Sequence, residues 1–238
     1  LEVKHLNAGK EVRDVSFHLR KGEILGFAGL MGAGRTEVVR ALYAADPKQT
    51  GEIYLNGKKV KIKSPSQAVK KGICYLSEDR KRFGLMLDKS VTDNSGIASV
   101  DNFVTSGIIR DGKMRKVSEE TNAKLRTKTP SMEQLLKNLS GGNQQKVIIA
   151  RWLMKNSDIF IFDEPTRGID IGAKSEMYAL MEQLADEGKS VIMISSELAE
   201  IQRVSDRVIC MCEGRITGEL DIADATQEEI MKYATMRD

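Results

Sequence analysis

Three runs of residues in this chain have the types and spacing to do chemistry. GLMGAGRT, over residues 29–36, places Gly29, Gly32 and Gly34 in a loop that ends in Arg35 and Thr36. It follows the apolar stretch EILGFA and precedes a helical pattern, matching the phosphate-binding loop GxxxxGK[ST] at each fixed position except the lysine. Arg35 stands at that position. The glycines allow a tight turn whose backbone N–H groups converge on an anion, and the positive end of the next helix adds to the site. The Thr36 hydroxyl takes the place of a Mg²⁺ ligand. A glycine-rich strand-to-helix turn that binds nothing is the competing interpretation. Arg35 keeps the charge but exchanges a compact ammonium for a wide planar fork, so a triphosphate here is expected to be held less tightly or with altered geometry at its terminal phosphate.

The second run is Asp163-Glu164-Pro165, directly after IFIF at residues 159–162. Two carboxylates at the C-terminal end of a buried strand lie where open α/β sheets bind ligands. With a phosphate loop upstream, Asp163 reads as part of a Mg²⁺ shell and Glu164 as the general base that polarises water. An acidic turn after a strand is the alternative. The third run, Leu139-Ser140-Gly141-Gly142-Asn143-Gln144-Gln145, enters a helix carrying Val147, Ile148 and Leu153. Its serine and backbone N–H groups would form a second anion site at a helix start, or Ser140 simply caps that helix. The mixed-charge run Glu78-Asp79-Arg80-Lys81-Arg82 either meets a partner protein or is a solvated loop.

Strands must present these groups. LEV at 1–3, VSFHL at 15–19 and EILGFAG at 23–29 read as strands, and Asn56-Gly57 between EIYL and KKVKI as a two-residue hairpin turn. Residues 36–45 switch to helical spacing, with Val38, Val39 and Leu42 on one face. Three further strand–helix units begin at ICYLS (73–77), at IFIF and at SVIMIS (190–195). The helix after Gly172 repeats Met177, Leu180, Met181 and Leu184 at helical intervals. Strands so uniformly apolar need cover on both faces, as in a parallel sheet flanked by helices. From Gly84 to Asn138 polar helical signals replace the apolar strands. There SMEQ at 131–134 has the capping-box pattern and predicts a helix start just before Leu135 and Leu136, whereas the lysine-rich stretch 113–129 has few apolar anchors.

The 238 residues suit one α/β domain with an inserted subdomain. With 37 basic and 34 acidic residues, the net charge of +3 gives no one-sided field of the kind that marks a nucleic-acid binder. Cys74, Cys210 and Cys212 lack CxxC spacing and a nearby histidine, so they read as inert thiols in a reducing compartment. No apolar run approaches the roughly 18–20 residues a membrane span needs, and no signal peptide is visible. The chain opens at Leu1 in mid-strand pattern, which suggests a piece of a longer polypeptide. His5, His18, Tyr43, Tyr54 and Trp152 read as surface or packing residues.

An LSGGQ-like run about twenty residues before an Asp-Glu strand end is the signature of ABC ATPases. GLMGAGRTE, YLSEDRKRFGL, KTPSMEQ, LSGGNQQKV, DEPTRGIDIGAK and ISSEL together resemble the second nucleotide-binding half of ribose/galactose-type sugar-import ATPases, over nearly the whole chain. The resemblance implies an α/β P-loop NTPase fold. This has a RecA-like, mostly parallel sheet, N-terminal antiparallel strands and a helical signature subdomain at 84–149 inserted in a single domain, 1–238. It further implies ATP and Mg²⁺ as ligands and a second nucleotide-binding half paired head to tail, each ATP sandwiched between one P-loop and the other half's signature. Two membrane permease subunits and, indirectly, a periplasmic or extracellular sugar-binding protein complete the implied partners, with no nucleic acid. The location implied is peripheral, at the cytoplasmic face of the cell membrane.

Carried over by position, Gly29, Gly32, Ala33, Gly34, Arg35, Thr36 and Glu37 bind ATP, and Thr36 and Asp163 hold the metal. Glu164 and Ser196 occupy catalytic positions. Ser140, Gly141, Gly142, Asn143 and Gln144 contact the partner's ATP, Glu78 aligns with the Q-loop, and Asp170 lies in the loop that crosses to the other half. The chain departs from the family pattern in several places. Arg35 replaces a lysine, Glu78 a glutamine that it exchanges for negative charge near phosphates, and Ser196 a histidine whose imidazole it cannot supply. No aromatic residue lies around Asn7 and Gly9, where many such domains stack adenine. Intact Glu164 points to a transport-coupled ATPase. The three substitutions point to a half that binds ATP and lends its signature to the partner while hydrolysing slowly or not at all. A soluble ATPase of DNA repair or translation would need coiled-coil arms or a basic interdomain linker, and the sequence shows neither.

Overall fold

The computed structural model describes residues 1–236; positions 237 and 238, which the expected 1–238 domain includes, lie outside the described residues. Among these, no helix is long and apolar enough to cross a membrane. The chain separates into two compact units, Leu1–Tyr75 with Asp158–Pro165 and Met181–Asp238, and Leu76–Ser157 with Thr166–Leu180.

In the first unit the apolar runs become a six-stranded sheet in the order β12-β11-β3-β10-β9-β6. Its strands are β3 (Ile24–Gly29), β6 (Ile73–Leu76), β9 (Ile159–Asp163), β10 (Ser190–Ile194), β11 (Arg207–Cys212) and β12 (Arg215–Asp221). β10 runs parallel to β3 and β9, β11 runs parallel to β3, and β12 is antiparallel to its neighbour β11. Every residue of β9, β10 and β11 is buried, as strands covered on both faces must be. Because β3, β9 and β10 are parallel, they deliver the loop after Gly29, the pair Asp163-Glu164 and the pair Ser195-Ser196 to one sheet edge.

A second sheet, antiparallel in the order β2-β1-β4-β5, is built from β1 (Glu2–Ala8), β2 (Val12–His18), β4 (Thr50–Leu55) and β5 (Lys58–Val60). The β4–β5 turn uses Asn56 and Gly57 at φ 50° and 74°, the paired left-handed conformation that a tight hairpin requires. β2 buries Val12, Val15 and Phe17, and Phe17 meets Phe27 of β3 edge-on at 5.2 Å. Helix α1 (Arg35–Leu42) buries Val38, Val39 and Leu42 in the same core. Arg207, 2% exposed, donates to Glu23 at 2.9 Å and to the His18 carbonyl at 2.7 Å, so neither buried charge is left alone.

The second unit holds α3 (Val91–Gly96), the two-residue strands β7 (Val104–Thr105) and β8 (Ile108–Ile109), α4 (Asp111–Lys124), α5 (Gly141–Met154) and the start of α6 (Ile171–Asp186). α2 (Pro65–Lys70), α7 (Leu198–Val204) and α8 (Gln227–Ala234) belong to the first unit. The stretch 84–149 lies within the second unit. α4 forms although apolar anchors are few, because its buried stripe is Met114, Ser118 and Asn122 at intervals of four. The interior it faces is polar to match: the Asn122 amide donates to Ser95 Oγ at 2.9 Å, and Arg151 donates to the Asn94 and Gly84 carbonyls at 2.7 Å each.

The capping box expected at Ser131 does not start a helix. Leu136–Asn138 is a single 3-10 turn, capped by no side chain. The backbone before it is already committed, since Leu135 bridges Ser90, Leu136 N–H donates to the Lys89 carbonyl and Lys137 N–H to that of Leu87. A strand-like pairing has won over the local helix signal. The capping box that does form is Ser90 with Asp93, at the start of α3.

Candidate functional site

The loop between β3 and α1 folds as its glycines demand. Gly34, the residue before α1, has φ 96°, and a Cβ there would lie 2.3 Å from the Glu11 carbonyl oxygen, so no other residue fits. The turn between β11 and β12 braces the loop from behind: Gly214 N–H donates to the Ala33 carbonyl at 3.0 Å while its own carbonyl accepts from Arg13 N–H at 2.8 Å. Gly29, Gly32, Ala33 and Gly34 thus form a supported loop opening onto the N-terminus of α1, the geometry in which backbone N–H groups and the helix dipole attract phosphate. Glu37 follows, half-buried in the first turn of α1.

Thr36 and Asp163, far apart in sequence, meet here. Thr36 Oγ1 donates to Asp163 Oδ1 at 3.0 Å, and Asp163, 1% exposed, accepts at Oδ2 from the Tyr75 hydroxyl at 2.7 Å. Glu164 follows in a left-handed conformation, φ 48°; its N–H donates to the Ile194 carbonyl at 2.9 Å and its Oε2 accepts from Ser196 Oγ at 3.2 Å. Strained backbone of this kind persists where the surroundings over-determine it.

Arg35 is 9% exposed and turned inward. Its Nη1 donates to the Ser195 carbonyl at 2.5 Å, and its Nη2 lies 3.9 Å from Glu164 Oε1. Burial raises the pKa of Asp163, against the hydrogen bonds from Tyr75 and Thr36 and the charge of Arg35. It also raises that of Glu164, against Arg35 and Ser196, and it lowers that of Arg35, against both carboxylates. Two desolvated carboxylates thus share one desolvated guanidinium, which leaves a local excess of negative charge. A hard divalent cation fits that imbalance. Mg²⁺ binds through one or two carboxylates plus substrate phosphates rather than in an all-protein cage, and Thr36 and Asp163 supply oxygens of that type.

Within the second unit, Ser140 precedes the first turn of α5 but makes no side-chain capping bond. Its Oγ instead accepts from Asn143 Nδ2 at 2.9 Å, and Asn143 Oδ1 accepts from Lys128 N–H at 2.8 Å. Gln144 is turned inward, donating to the Leu136 and Leu139 carbonyls at 3.1 and 3.2 Å. Gly141 and Gly142 open the helix, and a Cβ on Gly142 would come within 2.8 Å of Ala173 Cβ. Ser140, Gly142, Asn143 and Asp170 share a cavity of about 290 Å³ with Lys128 and Glu176. Asp170 Oδ1 accepts from Ala173 N–H at 2.9 Å, capping α6. Glu78 is paired with Arg167, whose carbonyl also accepts from Arg80 at 3.0 Å, so the charge of Glu78 has a counter-ion of its own.

Two contributors to the site carried no sequence signal. Tyr75 sits in an apolar strand with no motif around it, and Ser195 acts through a backbone carbonyl that any residue would supply. The order of strands in the sheet brings them to Asp163 and Arg35.

Residues 12–167 match the ABC transporter family. Across 239 residues the chain is 56% identical to the putative ribose/galactose/methyl galactoside import ATP-binding protein 1 of Burkholderia lata, covering 100% of this chain and 47% of that protein. It is 48% identical over 237 residues to the ribose import ATP-binding protein RbsA of Clostridium tetani, covering 98% and 46% respectively. The chain spans about half the length of the curated relatives it matches. A bacterial ABC transporter cassette solved as a dimer superposes with a TM-score of 0.79 at 21% identity, covering 93% of this chain and 98% of that one. A nucleotide-free ATP-binding cassette from an ABC transporter does so with 0.80 at 17%, covering 99% and 98%. These likenesses establish the fold as that of an ABC ATPase cassette, and with the match over residues 12–167 they lead to one conclusion: the chain belongs to the ABC transporter family.

Proposed function

We propose that this chain binds MgATP and serves as one ATP-binding half of a ribose/galactose-type monosaccharide importer, coupling ATP binding and hydrolysis to uptake. The observation that carries the reading is the meeting of Thr36 and Asp163 at 3.0 Å beside a glycine loop that opens on a helix N-terminus. In this reading the backbone of residues 29–36 cradles the phosphates, Thr36 and Asp163 hold Mg²⁺, and Glu164, oriented by Ser196, takes the proton of the attacking water. Bound Mg²⁺ supplies charge neutralisation at the terminal phosphates. Ser140, Gly141, Gly142, Asn143 and Asp170 face the nucleotide of a second half, and Glu78 stands beside the link to the permease. The partners are that half, two membrane permease subunits and, indirectly, a sugar-binding protein, with the chain at the cytoplasmic face of the membrane. The names of the relatives and their roughly twofold length support this arrangement.

One observation favours a second reading for the chain's own site. Arg35 is engaged with the Ser195 carbonyl and lies close to Glu164, so the guanidinium partly neutralises the base and is held back from the phosphates. On this reading the half binds ATP, hydrolyses it slowly and lends its signature to the partner. Calorimetric titration with ATP and Mg²⁺, with phosphate release followed in the same samples, tests both. Steady release abolished in Glu164→Gln supports a working ATPase, and binding without release supports the second reading. Absence of binding overturns both.

A further inference from the structure

We propose that Tyr75, backed by Arg40 and Asp46, is a positioning residue that aims Asp163 at its divalent cation. The inference rests on the reading of Asp163 as a Mg²⁺ ligand. The two oxygens of Asp163 are used differently: Oδ1 faces Thr36 at 3.0 Å, whereas Oδ2 accepts the Tyr75 hydroxyl proton at 2.7 Å. A carboxylate pinned at one oxygen cannot turn about its Cβ–Cγ bond, so the other oxygen keeps a fixed direction. Tyr75 is itself pinned. Its ring packs on Tyr43 with centroids 5.5 Å apart, and the Arg40 guanidinium, in the last turn of α1, is electrostatically coupled to its hydroxyl. A cation coupled to the phenol oxygen makes its O–H a better donor to Asp163.

The Arg40 fork is committed to Asp46, with Nε to Oδ2 at 2.6 Å and Nη2 to Oδ1 at 2.7 Å. Such bidentate pairs fix the guanidinium plane. The connections close on themselves: Thr36 and Arg40 are one turn apart on α1, and Asp163 and Tyr75 join them across β9 and β6. The helix that carries the threonine and the strand that carries the aspartate are thereby locked in register by side chains outside the phosphate loop. Hydrogen-bond partners behind a metal ligand commonly change metal affinity about 10–100-fold when removed.

The test is the Mg²⁺ dependence of ATP binding to the 238-residue chain, with ATP affinity in EDTA as the metal-free reference. Tyr75→Phe keeps the ring and removes only the hydroxyl. Its Mg²⁺ midpoint should rise about tenfold or more, with ATP affinity in EDTA unchanged. Arg40→Gln should shift the midpoint in the same direction by less, and the double variant should be no worse than Tyr75→Phe alone, because the two act in series. Should Tyr75→Phe fail to fold, Arg40→Gln carries the test. An unchanged midpoint in the folded variant, where Asp163→Asn has lost the Mg²⁺ response, overturns the role of Tyr75. A Mg²⁺ response that survives in Asp163→Asn instead overturns the reading of Asp163, and the proposal with it.

Discussion

The Arg35 guanidinium is held between strand ends, 2.5 Å from the Ser195 carbonyl and 3.9 Å from the Glu164 carboxylate. To serve a bound phosphate it must give up a charge-assisted hydrogen bond worth about 1.5–3 kcal/mol. A lysine ammonium has no fork with which to span the carbonyl and the carboxylate together. Arg35→Lys is therefore expected to tighten MgATP binding about tenfold, or ~1.4 kcal/mol, in a calorimetric titration. Equal affinities would show that the inward turn of Arg35 does not limit the site.

Glu164 carries a pH signature whose sign follows from its burial. Desolvation raises its pKa in the folded chain above the unfolded value, against Arg35 and Ser196. Between the two values the native state binds more protons than the unfolded one, so stability falls as pH rises through that window, and the penalty persists above it. Glu164→Gln removes the penalty. Its melting temperature should exceed the parent's by about 2 °C at pH 7, a shift of under ~1 kcal/mol for a domain of this size. The gain should vanish below the ordinary carboxylate range, near pH ~4. A melting temperature lowered at pH 7 would mean that the pairing with Arg35 outweighs desolvation.

The helical unit offers a comparison between two serines with the same local pattern. Ser90 Oγ accepts from Asp93 N–H at 3.0 Å, and the Asp93 carboxylate accepts from Ser90 N–H at 3.3 Å, whereas Ser131 begins no helix. Ser90→Ala should destabilise the chain by about 1 kcal/mol. Ser131→Ala should fall within the ~0.5 kcal/mol typical of surface changes. Urea denaturation of the two variants decides it, and equal losses would contradict the assignment.

What was legible in the sequence was whatever a short stretch determines by itself. The apolar runs before Gly29, Asp163 and Ser196 marked strands, and the loop residues after them marked one edge of the sheet. Asn56-Gly57 named its own turn. Pattern failed where partners lie far apart in sequence: the backbone around Leu135 pairs with that around Ser90 and overrides the signal at Ser131. α4 was hard to see because its buried face uses Ser118 and Asn122, which an apolar count passes over. The contacts of Arg35 with Ser195 and of Tyr75 with Asp163 span 160 and 88 residues, and only the order of strands in the sheet creates them.

Asn143 stands where it can set the direction of the Ser140 hydroxyl. Its amide nitrogen occupies Ser140 Oγ at 2.9 Å and its carbonyl oxygen holds Lys128 N–H at 2.8 Å, which leaves the serine proton for an incoming acceptor. Asn143→Asp keeps the bond to Lys128 but turns the donor toward Ser140 into a second acceptor. The serine proton is then drawn to the new carboxylate, and a negative charge is placed in the first turn of α5, where a partner's phosphate would approach. ATP-dependent association with a second nucleotide-binding half should weaken about tenfold or more, or ~1.4 kcal/mol, by sedimentation with and without MgATP. MgATP affinity at the chain's own loop should not change, since Asn143 lies outside it. Undiminished association would rule out Ser140 as a ligand for the partner's nucleotide, whereas a loss of affinity at the chain's own loop would trace the effect to the fold instead.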